Sequence, residues 1–241
     1  MSKIYIGTSG WAHADWKEVF YPSDVKVGNK LEYYRQFFNT VEINSTFYHN
    51  PPYQTWKNWA LQTGPDFVFG IKGSRFISHI LKLDNSLEPI KSLWQGVRLL
   101  GGKAGPVFLQ LPNQFELNQY RLEKFVQNLP TKLKIALEFG HPSWYQNQVF
   151  SILEEKNVGL VLNKDTLKQG IAPITANFVY VRLPGTDGDG EGKIEEGDLA
   201  VWAKSITGWL ERGLDVFVYF TNHQQARAIQ DAKELKNLLN C

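Results

Sequence analysis

The sequence predicts a single (β/α)8 barrel of the TIM type, and three observations carry that prediction. Short runs rich in Val, Ile, Phe and Tyr recur eight times along the chain. Helix-patterned segments stand between most of them, at roughly the 30-residue interval of a strand–helix–strand unit. The length, 241 residues, suits a barrel that typically needs about 250. A doubly wound open sheet is the alternative that the same alternation permits.

The strand candidates are "IYIGT" from residue 4, "TVEIN" from 40, "FVFGIK" from 67, "PVFLQLP" from 106, "KIALEF" from 134, "GLVLNK" from 159, "FVYVRL" from 178 and "VFVYFTN" from 216. Most are near-continuous apolar runs, the pattern of strands covered on both faces in a parallel sheet. The helix candidates are "KLEYYRQFF", "YQTWKNWALQT", "LEPIKSLWQGVRLL", "NQYRLEKFVQNL", "WYQNQVFSILEEK", "GDLAVWAKSITGWLER" and "HQQARAIQDAKELKNLL". The last sets Ala226, Ile229, Ala232, Leu235 and Leu239 at helical spacing. Between the sixth and seventh strands stands Pro173 with little helical pattern, so that helix is expected to be reduced or missing. No linker or low-complexity block interrupts the alternation, and residues 1–241 are expected to form one domain.

Composition narrows the function classes. The net charge is +2, with both signs spread along the chain, which argues against a protein whose main work is to coat nucleic acid or an acidic membrane. The lone cysteine is Cys241, so no intramolecular disulfide forms, as suits a reducing compartment. There is no basic segment followed by an apolar run at the N-terminus and no 18-residue apolar stretch. A soluble cytoplasmic protein without a membrane partner is expected. The glycine patterns of nucleotide-binding loops and the H-E-x-x-H pattern are missing, and "GTSGW" around Ser9 is not a nucleophile elbow. His13, His49, His141 and His223 follow strand ends, a placement open to a mixed histidine–carboxylate metal site.

The chemistry collects at the strand ends. In "TVEINSTFYHNPP", Glu42 lies between Val41 and Ile43, and carboxylates are rarely buried unless paired. Reading the strand ends in order gives Ser9, Glu42 with Asn44, Lys72, Gln110, Glu138, Asn163 with Asp165, Arg182 and Asn222. In a barrel these converge on the C-terminal face, where TIM-type active sites lie. Glu42 and Glu138 are the candidate acid and base. Lys72 and Arg182 would draw an anion. Asn44, Gln110 and Asn222 would add hydrogen bonds, and Trp11, Tyr48 and Trp144 would stack on a sugar or base or cover the rim. Glu42 is expected to pair with Lys72 on the next strand. The purely structural alternative has Glu42–Lys72 and Glu138–Arg182 neutralising one another.

The motifs "IGTSGW", Trp16 with "FYP", "TVEINSTFY", "NWA", "FVFGIK", "LQLP", "LEF" with "HPSW", "YVRLPG" and "VFVYFTN" resemble, in one order along nearly the whole chain, the YecE-like family. The resemblance implies a TIM-barrel fold, no assigned reaction, and polar strand-end positions at Glu42, Asn44, Lys72, Gln110, Glu138 and Arg182. The chain departs from the family pattern at Gly140, where an arginine is usual, at Pro184-Gly185, where a His-Gly pair is usual, and at Thr221-Asn222, where two asparagines are usual.

After the seventh strand comes "DGDGEGKIEEGD". Asp187, Asp189, Glu191 and Asp198 take positions one, three, five and twelve of a calcium-loop pattern, with Gly192 at six. Position twelve is ordinarily Glu, and a strand rather than a helix precedes the loop, so a solvated acidic lid competes with calcium as the loop's role. The reading as a whole is a metal-independent enzyme, a hydrolase, lyase or isomerase, acting on an anionic or sugar-containing small molecule. A nucleic-acid-processing barrel and a non-catalytic metabolite sensor are the alternatives.

Overall fold

The computed structural model describes residues 2–130, 132–168, 170, 173–187 and 189–241. Eight parallel strands, β1 (Ile4–Thr8), β2 (Thr40–Ile43), β3 (Val68–Lys72), β4 (Ala104–Leu111), β5 (Ile135–Phe139), β6 (Gly159–Leu162), β7 (Phe178–Leu183) and β8 (Asp215–Phe220), form a nearly closed barrel. Hydrogen-bonded neighbours run from β2 through β3 to β8 and then to β1. Around it lie α1 (Lys30–Tyr34), α2 (Tyr53–Gln62), α3 (Leu87–Val97), α4 (Gln119–Gln127), α5 (Asn147–Glu155), α6 (Lys164–Lys168), α7 (Glu196–Glu211) and α8 (Arg227–Leu238). Among the described residues between β6 and β7, the one helix is the five-residue α6, the reduction that Pro173 and the weak pattern anticipated. Among the described residues no helix is long and apolar enough to cross a membrane.

The seam between β1 and β2 closes by a different device from the rest of the barrel. A single parallel bridge joins Ser9 to Glu42, with Gly10 N–H donating to the Glu42 carbonyl at 2.8 Å. Below it, side chains replace the ladder. Asn39 Nδ2 donates to Ile4 O at 2.8 Å while its Oδ1 accepts from Ile6 N–H, and the Tyr34 hydroxyl accepts from Thr8 N–H at 2.9 Å. Gly7 is required here, because a Cβ would meet Thr40 O at 2.1 Å.

Two apolar layers fill the molecule. The larger lies between strands and helices and includes Val41, Ile43, Ile71, Leu109, Leu137, Val181 and Val218. The smaller fills the barrel interior with Val68, Phe108, Ala136, Val161, Phe178, Tyr180, Phe217 and Tyr219. Side chains alternate faces along a strand. The residue two past an inward core position therefore points inward again, one layer nearer the mouth. That rule carries Thr40 to Glu42, Gly70 to Lys72, Phe108 to Gln110, Ala136 to Glu138 and Tyr180 to Arg182.

Candidate functional site

Glu42 is fully buried at the barrel mouth, and both of its oxygens are occupied. Oε1 accepts from Ser9 Oγ at 2.5 Å and from Arg182 Nη2 at 3.2 Å; Oε2 accepts from the Tyr180 hydroxyl at 2.7 Å and from Arg182 Nε at 3.1 Å. Its ionic partner is thus Arg182 on β7, not the expected Lys72 on β3. The reason is geometric: a planar guanidinium offers a two-pronged edge that matches a carboxylate, and a lysine ammonium does not. Burial alone would lower the Arg182 pKa, but the Glu42 and then the Glu138 carboxylates outweigh it and hold it above its ordinary value. Arg182 also stacks its guanidinium 4.4 Å from the Phe108 ring centre.

The far edge of the same guanidinium reaches Glu138, with Nη1 donating to Oε2 at 3.0 Å. Glu138 keeps 14% of its side chain exposed, against 0% for Glu42. Among the described residues, nothing donates to Glu138 Oε1.

Lys72 takes another environment. Nζ donates to Gln110 Oε1 at 3.1 Å and lies 4.5 Å from the Phe47 ring centre and 5.6 Å from that of Phe108. Among the described residues no carboxylate lies within ion-pair distance of it. Burial, and then the neighbouring Arg182 charge, lower its pKa against the opposing pull of Glu42 and Glu138.

Two open clefts meet over Glu138. One, of about 610 Å³, is lined by His79, Gln110, Asn113, Gln114, Glu138, Tyr145, Asn163 and Asp165 among others. The other, of about 570 Å³, adds Lys164, Arg182, Thr186, Asp187, Asp189 and Thr221. Gln110, Glu138, Asn163 and Asp165 line both; Glu42 lines neither.

The remaining expected site residues separate. Asn44 joins the buried network, donating from Nδ2 to Ser9 Oγ, while among the described residues its buried Oδ1 has no partner. Trp144 is fully buried, donates Nε1–H to Phe115 O at 2.6 Å and stacks on Phe139, so it supports β5 from behind and is not available to a ligand. Trp11 is half-buried edge-on to Trp59. Tyr48 is 78% exposed on the rim. Asn222 is one residue out of phase: Thr221 continues the inward alternation, and Asn222 turns into the helix layer, where Nδ2 donates to Asp231 Oδ2 and to Gly192 O. Its expected place in the mouth is corrected accordingly.

The four acidic-loop carboxylates do not converge. Asp187 Oδ1 accepts from Glu191 N–H, Glu191 Oε2 from Gln224 N–H, and Asp198 Oδ2 from Lys164 Nζ, while Asp189 lines the second cleft. Among the described residues no three His, Cys, Asp or Glu side chains group as metal ligands. Gly188, within that loop pattern, lies outside the described residues. At Gly140, where a side chain was the family expectation, a Cβ would meet Asn113 Oδ1 at 2.3 Å. Asn113 thus stands where an arginine stem would run.

Two features escaped the sequence reading. Tyr180 was hidden in an apolar run, although its place two before Arg182 marks the same face. His13 and His223 stack with ring centres 3.9 Å apart, because barrel closure brings the loop after β1 beside the loop after β8. Burial, and then His13, push His223 down to about 4, and burial lowers His13 as well.

The model of the family described as "Protein of unknown function DUF72" matches residues 5–241. The chain belongs to the DUF72 family. It is 31% identical to the UPF0759 protein YecE of Escherichia coli K12 over 144 residues, 59% of this chain and about half the length of that relative. It is 22% identical to the UPF0759 protein YunF of Bacillus subtilis, over 98% of this chain and 95% of that protein. Among solved structures, a DUF72 family protein of Thermotoga maritima superposes with TM-score 0.84 at 24% identity, covering 99% of this chain and all of the other. One from Enterococcus faecalis gives 0.81 at 18% identity, covering 99% of this chain and 96% of the other. At these identities the superpositions bear on the fold of this DUF72 chain, and they agree with its barrel.

Proposed function

We propose that the mouth of the barrel binds a hydroxyl-rich small molecule such as a sugar, and that Glu138 is the group that exchanges a proton with it. The observation that carries this reading is the position of Glu138. It lines both clefts, one oxygen is fixed by Arg182, and the other accepts no bond from the described residues. A general acid or base needs such a free oxygen within reach of a ligand. Glu42 is the positioning residue behind it. With both oxygens already bonded, Glu42 has no lone pair turned toward the clefts, and its effect on a ligand passes through Arg182.

The lining favours hydroxyl groups over an anion. Glu138, Asp165, Asp187 and Asp189 supply four carboxylates, against Lys164 and Arg182. Both of those cations are already paired, Lys164 with Asp198 and Arg182 with the two glutamates. Gln110, Asn113, Gln114 and Asn163 are amides that both donate and accept, as a polyol requires. Binding of a phosphorylated or polyanionic ligand would add like charge to a carboxylate-rich wall.

The test is a thermal-shift titration of neutral sugars and sugar alcohols against their phosphates. A ligand at 100 times its Kd adds about 2.7 kcal/mol, which at 2–4 °C per kcal/mol for a chain of this size is a rise of roughly 5–10 °C. Neutral sugars are expected to raise the melting temperature of the wild type and not of Glu138→Ala. A shift with sugar phosphates alone would overturn the reading.

A further inference from the structure

Half-buried Lys72 stands apart from buried Lys30 and half-buried Lys103. Lys103 Nζ is tied to two carbonyls and a hydroxyl at the end of α2, and Lys30 to the His13 carbonyl over the Tyr21 ring. Each has an evident structural task. Lys72 points inward at the end of β3, its one polar partner among the described residues is a neutral amide oxygen, and aromatic rings lie against it. That partner, Gln110, lines both clefts, and His79, edge-on to Phe47, lines one. The amine therefore stands one side chain behind the cleft wall. It shares the Phe108 ring with the Arg182 guanidinium.

We propose that Lys72 is an amine nucleophile that forms an imine with an aldehyde or ketone carbon of a ligand in the adjoining cleft. This deepens the sugar-binding reading, on which it rests, by naming the open-chain carbonyl form as the reactive one. The neutral amine lone pair attacks the carbonyl carbon, and the C=O π pair moves to oxygen, which takes a proton. The resulting carbinolamine loses that oxygen as water as the nitrogen lone pair forms the C=N bond. Counted from the ammonium, R–NH3⁺ and O=C give R–NH⁺=C and one water, with no oxidant or reductant. A lysine suits this step when it is desolvated, or set beside another cation, so that the neutral form is populated near neutral pH. Burial among Phe47 and Phe108 and the adjacent Arg182 supply both conditions, in the direction that Lys72 shifts. A ligand carbonyl oxygen that replaces Gln110 Oε1 as hydrogen-bond partner is brought within bonding reach.

The test is reductive trapping of the whole protein with glycolaldehyde and sodium cyanoborohydride at neutral pH, followed by peptide mass spectrometry. Each unit by which an amine pKa falls raises its neutral fraction about tenfold. Lys72 is therefore expected to label faster than exposed Lys17. Addition at the Lys72 position should vanish in Lys72→Arg, while wild type alone supplies the internal comparison if that variant does not fold. Labelling of Lys72 no faster than Lys17 overturns the proposal. A sugar alcohol, which has no carbonyl, separates the two readings. If it binds and protects nothing because Lys72 never labels, the amine proposal fails and sugar binding stands. If Lys72 labels but no sugar alcohol binds, the imine chemistry stands and the broader hydroxyl-recognition reading fails.

Discussion

Glu42 and Glu138 grip the two edges of one guanidinium, yet they live in opposite surroundings. Glu42 is sealed at the β1–β2–β7 side beneath four donors, and Glu138 faces two clefts with a single one. The difference separates holding from reacting. A carboxylate whose lone pairs are all engaged fixes its neighbour, whereas one with a free oxygen can exchange a proton. The sharpest break of the comparison is Glu42→Gln, which removes the one fully buried carboxylate from Arg182 and leaves it only the partly exposed Glu138. Removing one partner of a buried ion pair costs about 3–5 kcal/mol. Urea unfolding should show a loss of that order, with the midpoint falling and the slope unchanged. A loss below 1 kcal/mol would sink the positioning role.

The histidine pair offers a second contrast on the sealed side. His223 is held near 4, against about 6.5 for an ordinary imidazole, by burial and by stacked His13. Between those values the unfolded chain binds a proton that the folded chain refuses, so stability rises with pH across that window and is lost as pH falls from 6.5 toward 4. The shift corresponds to on the order of 2–3 kcal/mol once partial exposure is allowed for. His13 shifts in the same direction. Unfolding free energies measured from pH 4 to 7 should therefore slope less steeply in His223→Asn than in wild type; parallel slopes would refute the assignment.

Tyr180→Phe is a milder probe of the sealed side. It deletes the hydroxyl that donates to Glu42 Oε2 and leaves the ring against Phe108 and Tyr219. Hydrogen bonds to charged groups contribute about 1.5–3 kcal/mol, and a loss in that range by urea unfolding is expected, with Arg182 still held by its two bonds to Glu42.

The two sides were not equally legible in the sequence. Strand placement and the inward positions of Glu42, Lys72, Gln110, Glu138 and Arg182 follow from apolar runs and two-residue alternation, both local properties of the chain. The weak α6 was legible for the same reason. Pairing was not. Choosing Arg182 over Lys72 for Glu42 depends on how strands five places apart in the chain lean across a barrel interior, and no local pattern encodes that. Asn222 failed through phase, since "YFTN" does not announce where the strand ends and the inward alternation passes to Thr221, just past β8, rather than to Asn222. Trp144 failed through depth: a tryptophan after a strand reads the same whether it covers the rim or, as here, packs beneath it with its N–H spent on Phe115.

The smallest stability change is expected on the open side, and it is the more informative for function. Glu138→Gln keeps the shape, retains an oxygen for Arg182 Nη1 and leaves the two Glu42 bonds to Arg182 in place. Glu138 is more exposed than Glu42, and the amide keeps an acceptor for Arg182, so unfolding should change by less than in Glu42→Gln. An amide cannot exchange a proton as a carboxylate does, whereas it still hydrogen-bonds a hydroxyl. Glu138→Gln should therefore keep most of any sugar-induced thermal shift that Glu138→Ala loses, yet abolish turnover of a sugar that the wild type converts. If turnover survives in Glu138→Gln, proton exchange belongs to another group lining both clefts, and Asp165 is the other carboxylate that does so.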